Sequence, residues 1–263
     1  MIWHQITPLT FLWWNTGLTP PISKKSHRVA DRPFAADQIK CFRAKLRFEI
    51  LGLAEVSTQD IEFILEQIGD PALGVVDRTD HTKKIKFDIA LIYDRDALEF
   101  ISASTLIDRV GKRTLKLGER VTFATRATGD ILHIIASHWT SRLSVGQFDS
   151  TRAEYGAMLR KSVDEVRREN SDPYIVLMGD YNDDPFSPSL AEHLLATRDR
   201  ELAKRNSAFL YNPFWRRIGE SHSLPTSGEV ESVCGTHFYA SGEFTEWGAP
   251  GDRQGVGGAS PPR

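Results

Sequence analysis

The stretch over residues 174–190, YIVLMGDYNDDPFSPSL, constrains the chain more than any other. Residues 174–178 are apolar, rich in β-branched and aromatic side chains, and preceded by Asp172-Pro173, so they read as a buried strand. The run stops at Gly179, and Asp180, Asn182, Asp183 and Asp184 follow at once. Pro185 and Pro188 then break the chain, and SPSLAEHLLA predicts a helix with Ser187 as N-cap and Pro188 at its first position. A rigid strand that delivers an Asp and an Asn from its C-terminal end is what an α/β active site uses. The same residues also satisfy an ordinary strand–turn–helix, in which Asp and Asn only make the turn. The rest of the chain has to separate the two readings.

With 263 residues, 40% of them hydrophobic, the chain can bury one large core. Residues 1–247 are expected to form one mixed α/β domain. Residues 248–263, GAPGDRQGVGGASPPR, have almost no apolar content, and a disordered Gly/Pro-rich tail is expected there. A formal charge of −2 excludes a protein that coats itself with nucleic acid through bulk charge. A phosphate-bearing partner must therefore be held by a local site or a metal. Cys41 and Cys234 lie far apart, with neither zinc spacing nor a disulfide framework, so a reducing, cytoplasmic location is expected. No apolar run is long enough to span a membrane, and MIWHQITPLTFLWWN lacks the basic start and cleavage site of a signal peptide. A monomer is expected.

Taken in order, residues 9–14 predict a strand ending at Asn15, and residues 35–48 a helix. Residues 50–54 predict a buried strand ending in Glu55, after which Ser57-Thr58-Gln59-Asp60 opens a helix. Residues 74–76 and 87–93 predict strands, the second ending at Tyr93. Residues 97–104 and 120–126 fit a meander, with turn signals at Gly111-Lys112 and Thr128-Gly129-Asp130. Residues 131–137 predict a strand that runs into His138-Trp139, and 151–169 a strongly amphipathic helix. Residues 198–205 predict a polar helix, 208–211 and 235–239 short strands. Basic residues are scattered, among them Lys86, Lys112, Arg113 and Lys116; they are candidates to line a groove for a polyanion, without the charge excess that tight nonspecific DNA binding needs.

Four strands thus run out into Asn15, Glu55, His138 and Asp180-x-Asn182. Singly, an Asn here is ordinarily a turn residue, a Glu is solvated and a His is structural. Together they supply carboxylates for a hard cation, amides to orient and an imidazole to meet negative charge. Mg2+ takes one or two carboxylates and fills its shell with water and phosphate oxygens; no thiol or His pair is present for zinc.

The order and spacing of FLWWNTGL, LGLAEVSTQDI, FDIALIYDRDALEF, IIASHWTSR and IVLMGDYNDDPFS resemble the endonuclease/exonuclease/phosphatase superfamily, which is DNase I-like, over roughly residues 9–247. The resemblance implies an α/β fold of the α+β type: a four-layer α/β/β/α sandwich, two mixed β-sheets face to face with helices outside. It implies a hydrolase of phosphate esters, of nuclease, phosphodiesterase or phosphatase type, dependent on Mg2+ (or Mn2+). On that pattern Glu55 binds the metal with Asn15 as a second ligand or just behind it. Asp180 activates the attacking water, Asn182 holds the scissile phosphate and Asp180, and His138 donates to a phosphoryl oxygen. Tyr93, Ser141 and Arg142 are expected to touch substrate, although Tyr93 also has a plain packing reading.

The pattern departs near the C-terminus. The family closes with a further strand bearing Asp-His or a similar pair, and no such pair follows Asn182; Asp252 has no His after it. That strand is expected to be missing and turnover impaired, because a general acid/base contributes about 10²–10⁴-fold. A truncated or frame-shifted copy, recruitment of His222 or His237, and a degenerate binder are the three accounts. A non-catalytic module on the same fold, binding metal and phosphate or nucleic acid, is therefore the alternative to an enzyme. An unrelated structural α/β protein is the third reading. DNA, RNA, lipid headgroups and inositol phosphates all stay open as substrates.

Overall fold

The computed structural model describes residues 9–21, 27–80, 86–141, 150–170 and 173–214, and the backbone of 236–240. Two strand sets build it. The first comprises β1 (Phe11–Asn15), β2 (Ile50–Ala54), β3 (Leu73–Asp77) and β4 (Ala90–Asp94), ordered β1-β2-β4-β3. β1 and β2 run parallel, and β4 is antiparallel to both of its neighbours. The second comprises β5 (Leu98–Val110), β6 (Arg113–Thr125), β7 (Ile131–His138), β8 (Tyr174–Asp180), β9 (Ala196–Thr197), β10 (Leu210–Tyr211) and β11 (Thr236–Ala240), ordered β5-β6-β7-β8-β11-β10-β9.

Side-chain alternation decides what each sheet face meets. On β7, Leu132, Ile134 and Ala136 join Val121 and Phe123 of β6, Val176 and Met178 of β8, and Trp13, Ile50 and Leu91 of the first sheet in one cluster between the sheets. The intervening Ile135, Ile175 and Leu177 face helix α3 (Ser150–Glu169) through Tyr155, Leu159, Val163 and Val166. The far face of the first sheet, Leu51, Leu53, Ala90 and Ile92, packs on α1 (Arg32–Leu46) and α2 (Thr58–Ile68) through Ala36, Ile39, Ile61 and Ile64. Three apolar interfaces separate four layers, the sandwich the sequence implied. Each buried Leu, Ile, Val or Phe contributes about 1.5–3 kcal/mol. Among the described residues β1 pairs on one side only, with β2, and no helix is long and apolar enough to cross a membrane.

A buried carboxylate fixes the chain on either side of β2. Asp60 and Ser57 form a capping box at the start of α2, in which Asp60 Oδ2 accepts from Ser57 N at 2.8 Å. The same oxygen accepts from Thr19 Oγ1 at 2.6 Å, and Oδ1 accepts from Arg32 Nε at 2.5 Å. Burial raises the Asp60 pKa, but these donors outweigh it and leave the carboxyl below its ordinary value of 3.8. A depressed carboxylate contributes stability above its unfolded pKa and loses it as pH falls through the folded value. Asp60→Asn is therefore expected to cost about 1.5–3 kcal/mol at neutral pH. In urea melts taken down through pH 3.8, the wild type loses that advantage and the variant has none to lose.

The structure revises one predicted element. Residues after Ser187 do not form a regular helix but one π-helical turn, Ser189–His193, closed by Leu194 N–H on the Ser189 carbonyl at 3.1 Å. The turn lies against α3: a Cβ on Gly156 of that helix would sit 2.0 Å from the Ser189 carbonyl. Leu195, at φ 61°, then leaves the helical region. The polar helix is α4 (Arg200–Arg205), capped by Asp199, whose side chain accepts from Leu202 N. Residues 248–263 and His222 lie outside the described residues.

Candidate active site

β1 and β2 run parallel, β7 and β8 run parallel, and all four strands deliver their C-terminal ends to one rim of the sandwich. Asn15, ending β1, stands there with Asp180, ending β8, although 165 positions separate them in the chain. The Asn15 amide Nδ2 donates to Asp180 Oδ2 at 3.3 Å and is 3.4 Å from Glu55 Oε1, bridging two carboxylates across the two sheets. His138, register partner of Asp180, places Nε2 4.0 Å from Glu55 Oε1. Asn182 donates its backbone N–H to Asp180 Oδ1 at 3.0 Å and its side-chain Nδ2 to the Trp139 carbonyl at 3.0 Å. Asn15, Glu55, His138, Asp180 and Asn182 thus form one group.

Two of these residues carry backbone strain. Glu55 has φ 55° and Asn182 φ 48°. The left-handed region costs an L-residue about 1–2 kcal/mol, less for Asn. Such strain persists only where surrounding contacts over-determine it, and it concentrates at functional sites. At Glu55 the contacts are explicit: its carbonyl accepts from Thr19 N at 2.6 Å and Thr16 Oγ1 at 3.1 Å, and its N–H donates to Asp88 Oδ2 at 3.3 Å. Gly179, just before Asp180, serves a different need. A Cβ there would lie 2.1 Å from the Ser137 carbonyl, so β7 and β8 approach closely enough for their terminal side chains to meet only if this residue is glycine.

Asp88 is a site residue that the sequence reading passed over. It is fully buried, with Oδ2 2.6 Å from His138 Nδ1 and Oδ1 2.7 Å from Lys116 Nζ. Burial pushes the Asp88 pKa up, but His138 and Lys116 outweigh it and hold the carboxyl far below the usual range. Burial opposes charge on His138 in the same way; Asp88, with a further contribution from Asp180, overrides it and raises the imidazole above its ordinary value. Nδ1–H is committed to Asp88, and Nε2 faces the carboxylate rim. A signal was available. Asp88 lies between Phe87 and an Ile-Ala-Leu run, and a carboxylate in apolar surroundings needs a partner.

Arg152 fastens the rim to α3. Its buried guanidinium donates to the Thr140 carbonyl at 3.0 Å and the Tyr181 carbonyl at 3.5 Å, and lies 3.8 Å from Asp183. The loops following His138 and Asp180 are thereby held by one side chain.

Other expected residues fall elsewhere. Tyr93 is not part of the group: β4 runs antiparallel to β2, and Tyr93 pairs with Ile50, at the end of β2 remote from Glu55. The five steps from Ile50 to Glu55 correspond to about 16 Å along the chain. Its ring packs on Phe123 at 5.0 Å between centroids and covers Gly74. Ser141 is half-buried, three residues beyond His138, and Arg142 lies outside the described residues. The backbone of His237 is the register partner of Gly179 on β11.

The donor set bears on the implied metal. Among the described residues no three His, Cys, Asp or Glu side chains converge to cage an ion by themselves. Glu55, 15% exposed, and the half-buried Asp180 face each other across the Asn15 amide. One or two carboxylates with room for water fit Mg2+ or Mn2+, not a closed zinc site. Asn15 does not fit as a direct ligand in this arrangement. Its donor NH2 faces the carboxylates, while its oxygen accepts from Gly17 N at 3.2 Å, and a protonated amide nitrogen does not bind a hard cation.

Comparison with known proteins identifies the fold. The same fold occurs in the human Nocturnin catalytic domain with bound sulfate, at 12% identity and TM-score 0.59, over 89% of this chain and 82% of that one. It occurs in a mannosyl-6-phosphatase of Bacteroides thetaiotaomicron VPI-5482, at 16% identity and TM-score 0.58, over 88% and 84%. It also occurs in D. rerio TDP2 complexed with a single-strand DNA product, at 13% identity and TM-score 0.56, over 88% and 82%. No curated protein matches the sequence. The family model described as endonuclease/exonuclease/phosphatase matches residues 35–222, spanning Glu55, Asp88, His138, Asp180 and Asn182. By that match, over a rim where Asn15 joins the carboxylates of both sheets, the chain belongs to the endonuclease/exonuclease/phosphatase family.

Proposed function

We propose that the chain hydrolyses phosphate esters with the help of Mg2+ or Mn2+. The observation that carries this reading is the Asn15 amide held between Glu55 and Asp180, because it draws two carboxylates from opposite sheets beside His138. Glu55 is the residue that holds the cation, with Asn15 steadying it. The bound cation supplies Lewis-acid charge to the phosphoryl oxygen and eases deprotonation of water. Asp180, whose oxygens are fixed by Asn15 and by Asn182 N–H, accepts the proton of the attacking water. As water oxygen bonds to phosphorus and the ester P–O bond breaks, the departing oxygen takes a proton from solvent. In its cationic form, which Asp88 favours, His138 donates from Nε2 to the oxygens on which negative charge grows. Asn182 gives one side-chain amide hydrogen to the Trp139 carbonyl and its backbone N–H to Asp180 Oδ1, which holds Asp180 and the His138 loop and leaves a second amide hydrogen for the scissile phosphate.

Two neighbours suggest mannose 6-phosphate and single-stranded DNA for a test panel that also holds the general diester bis-p-nitrophenyl phosphate and an abasic duplex, each with Mg2+ and with chelator. Turnover of at least one, dependent on added Mg2+ or Mn2+, is expected. Metal affinity measured by calorimetry is expected to fall at least about tenfold in Glu55→Gln. Titration curves that are identical for wild type and Glu55→Gln refute the metal assignment. Metal binding without turnover of any ester would instead make the chain a binding module on this fold.

A further inference from the structure

We propose that Lys116 is a positioning residue for this site: it holds one oxygen of Asp88 so that the other holds the ring of His138. The proposal rests on the hydrolase reading and deepens it. Lys116 belongs to none of the four strand ends. It projects from β6, with its side chain only 13% exposed. Nζ donates to Asp88 Oδ1 at 2.7 Å and to the Lys86 carbonyl at 3.1 Å, and lies 5.4 Å from the centre of the Phe87 ring. The ammonium is therefore fixed on three sides.

The two Asp88 oxygens have divided tasks. Oδ1 takes Lys116, while Oδ2 takes His138 Nδ1 at 2.6 Å and the strained Glu55 N–H at 3.3 Å. Removing the ammonium leaves Oδ1 buried and without its cation, a state that a carboxylate relieves by rotating toward another donor. Rotation withdraws Oδ2 from both His138 and Glu55. Lys116 thus controls two rim residues through one carboxylate it shares with them. The link extends away from the rim as well. Glu119, fully buried on the same strand, is held by Arg78 at 2.9 Å and Thr105 at 3.0 Å. The order Arg78, Glu119, Lys116, Asp88, His138 alternates in charge, and it braces the β5–β6 hairpin against the first sheet. A buried ion pair is weak evidence of stabilisation, since apolar residues of like volume often serve as well. What a Met in place of Lys116 cannot do is choose which Asp88 oxygen faces the histidine.

The test compares Lys116→Met, Lys116→Arg, Asp88→Asn and the Met/Asn double variant, on whichever ester of the panel is turned over. The expected result is a kcat about 10–100-fold lower for Lys116→Met, with KM unchanged and most of the rate restored in Lys116→Arg. In the Asp88→Asn background the Lys116→Met change adds no further loss, because it acts through Asp88. Nuclear magnetic resonance supplies a readout independent of turnover: the His138 Nδ1 proton, assigned by its disappearance in His138→Gln. It is protected in wild type and Lys116→Arg, and lost in Lys116→Met. Lys116→Met with an unchanged kcat, losses that multiply in the double variant, or a proton that persists in Lys116→Met each overturn the proposal. If wild type turns over no ester, the hydrolase reading fails, and the Nδ1 proton alone decides the role of Lys116. Lys116→Gln carries the same measurements if the Met variant does not give a folded spectrum.

Discussion

Asp180→Ala is expected to lower phosphate-ester turnover by about 10²–10⁴-fold, the contribution of a positioned general base, with the fold retained. Asp180 ends β8, and its carboxylate is pre-set: Asn15 Nδ2 donates to Oδ2 and Asn182 N–H to Oδ1. Both oxygens keep free lone pairs toward the rim, since a carboxylate offers about four acceptor positions. Truncation removes the acceptor and leaves in place the backbone pairing of β8 with β7 and β11. Asp180→Asn is the sharper variant. Its amide keeps the shape, but its NH2 must face either Asn15 or Asn182 N–H, donor against donor, and it cannot accept a proton. Both variants are expected to melt near the wild-type temperature and to lose kcat. Turnover within a few-fold of wild type in both would show that another group takes the proton of the attacking water.

Why some of this was legible in the sequence follows from where burial comes from. The strand at 50–54 was expected and is observed as Ile50–Ala54, because every side chain in it is buried and the apolar run is continuous. Ser57 and Asp60 mark the start of α2 through a local motif that needs no tertiary information. The β5–β6 hairpin was harder. Both strands run 13 residues, but in β5 only Leu98 is buried and residues 99–102 are exposed, so no buried alternating pattern marks its length. The rim residues were legible for one reason: each follows an apolar run at its C-terminal end. That rule misplaces Tyr93, which also ends a strand. Strand direction relative to β2 decides which rim it reaches, and direction is not written locally. It also misses Asp88, which precedes its strand, and Lys116, which looked like one more groove cation. The burial of those two charges is made by partners from other strands.

Asp88→Asn is expected to have a double effect, on stability and on catalysis. Removing one member of a buried, hydrogen-bonded charge group costs about 3–5 kcal/mol, and Asp88 serves two cations at once. The amide resolves its own orientation: its oxygen goes to the Lys116 ammonium, which can only donate, and its NH2 is left facing His138 Nδ1. Nδ1 must then accept instead of donate, so His138 becomes neutral. Nε2 remains a donor but no longer carries charge toward the phosphoryl oxygens, and kcat is expected to fall about 10²-fold or more. The pH dependence separates this cause from simple loosening. In wild type the His138 pKa is raised, so the cation survives to higher pH than its ordinary value of 6.5 allows. A group whose pKa rises on folding gives stability that is full below the unfolded pKa and is lost as pH rises through the folded one. The His138 share of the wild-type advantage over Asp88→Asn is therefore full below pH 6.5 and shrinks above it. Urea melts of both proteins on the two sides of neutrality, with kcat–pH profiles on the responsive ester, check this. A rate limb that stays at the same pH in Asp88→Asn would mean that the group titrating in turnover is not His138.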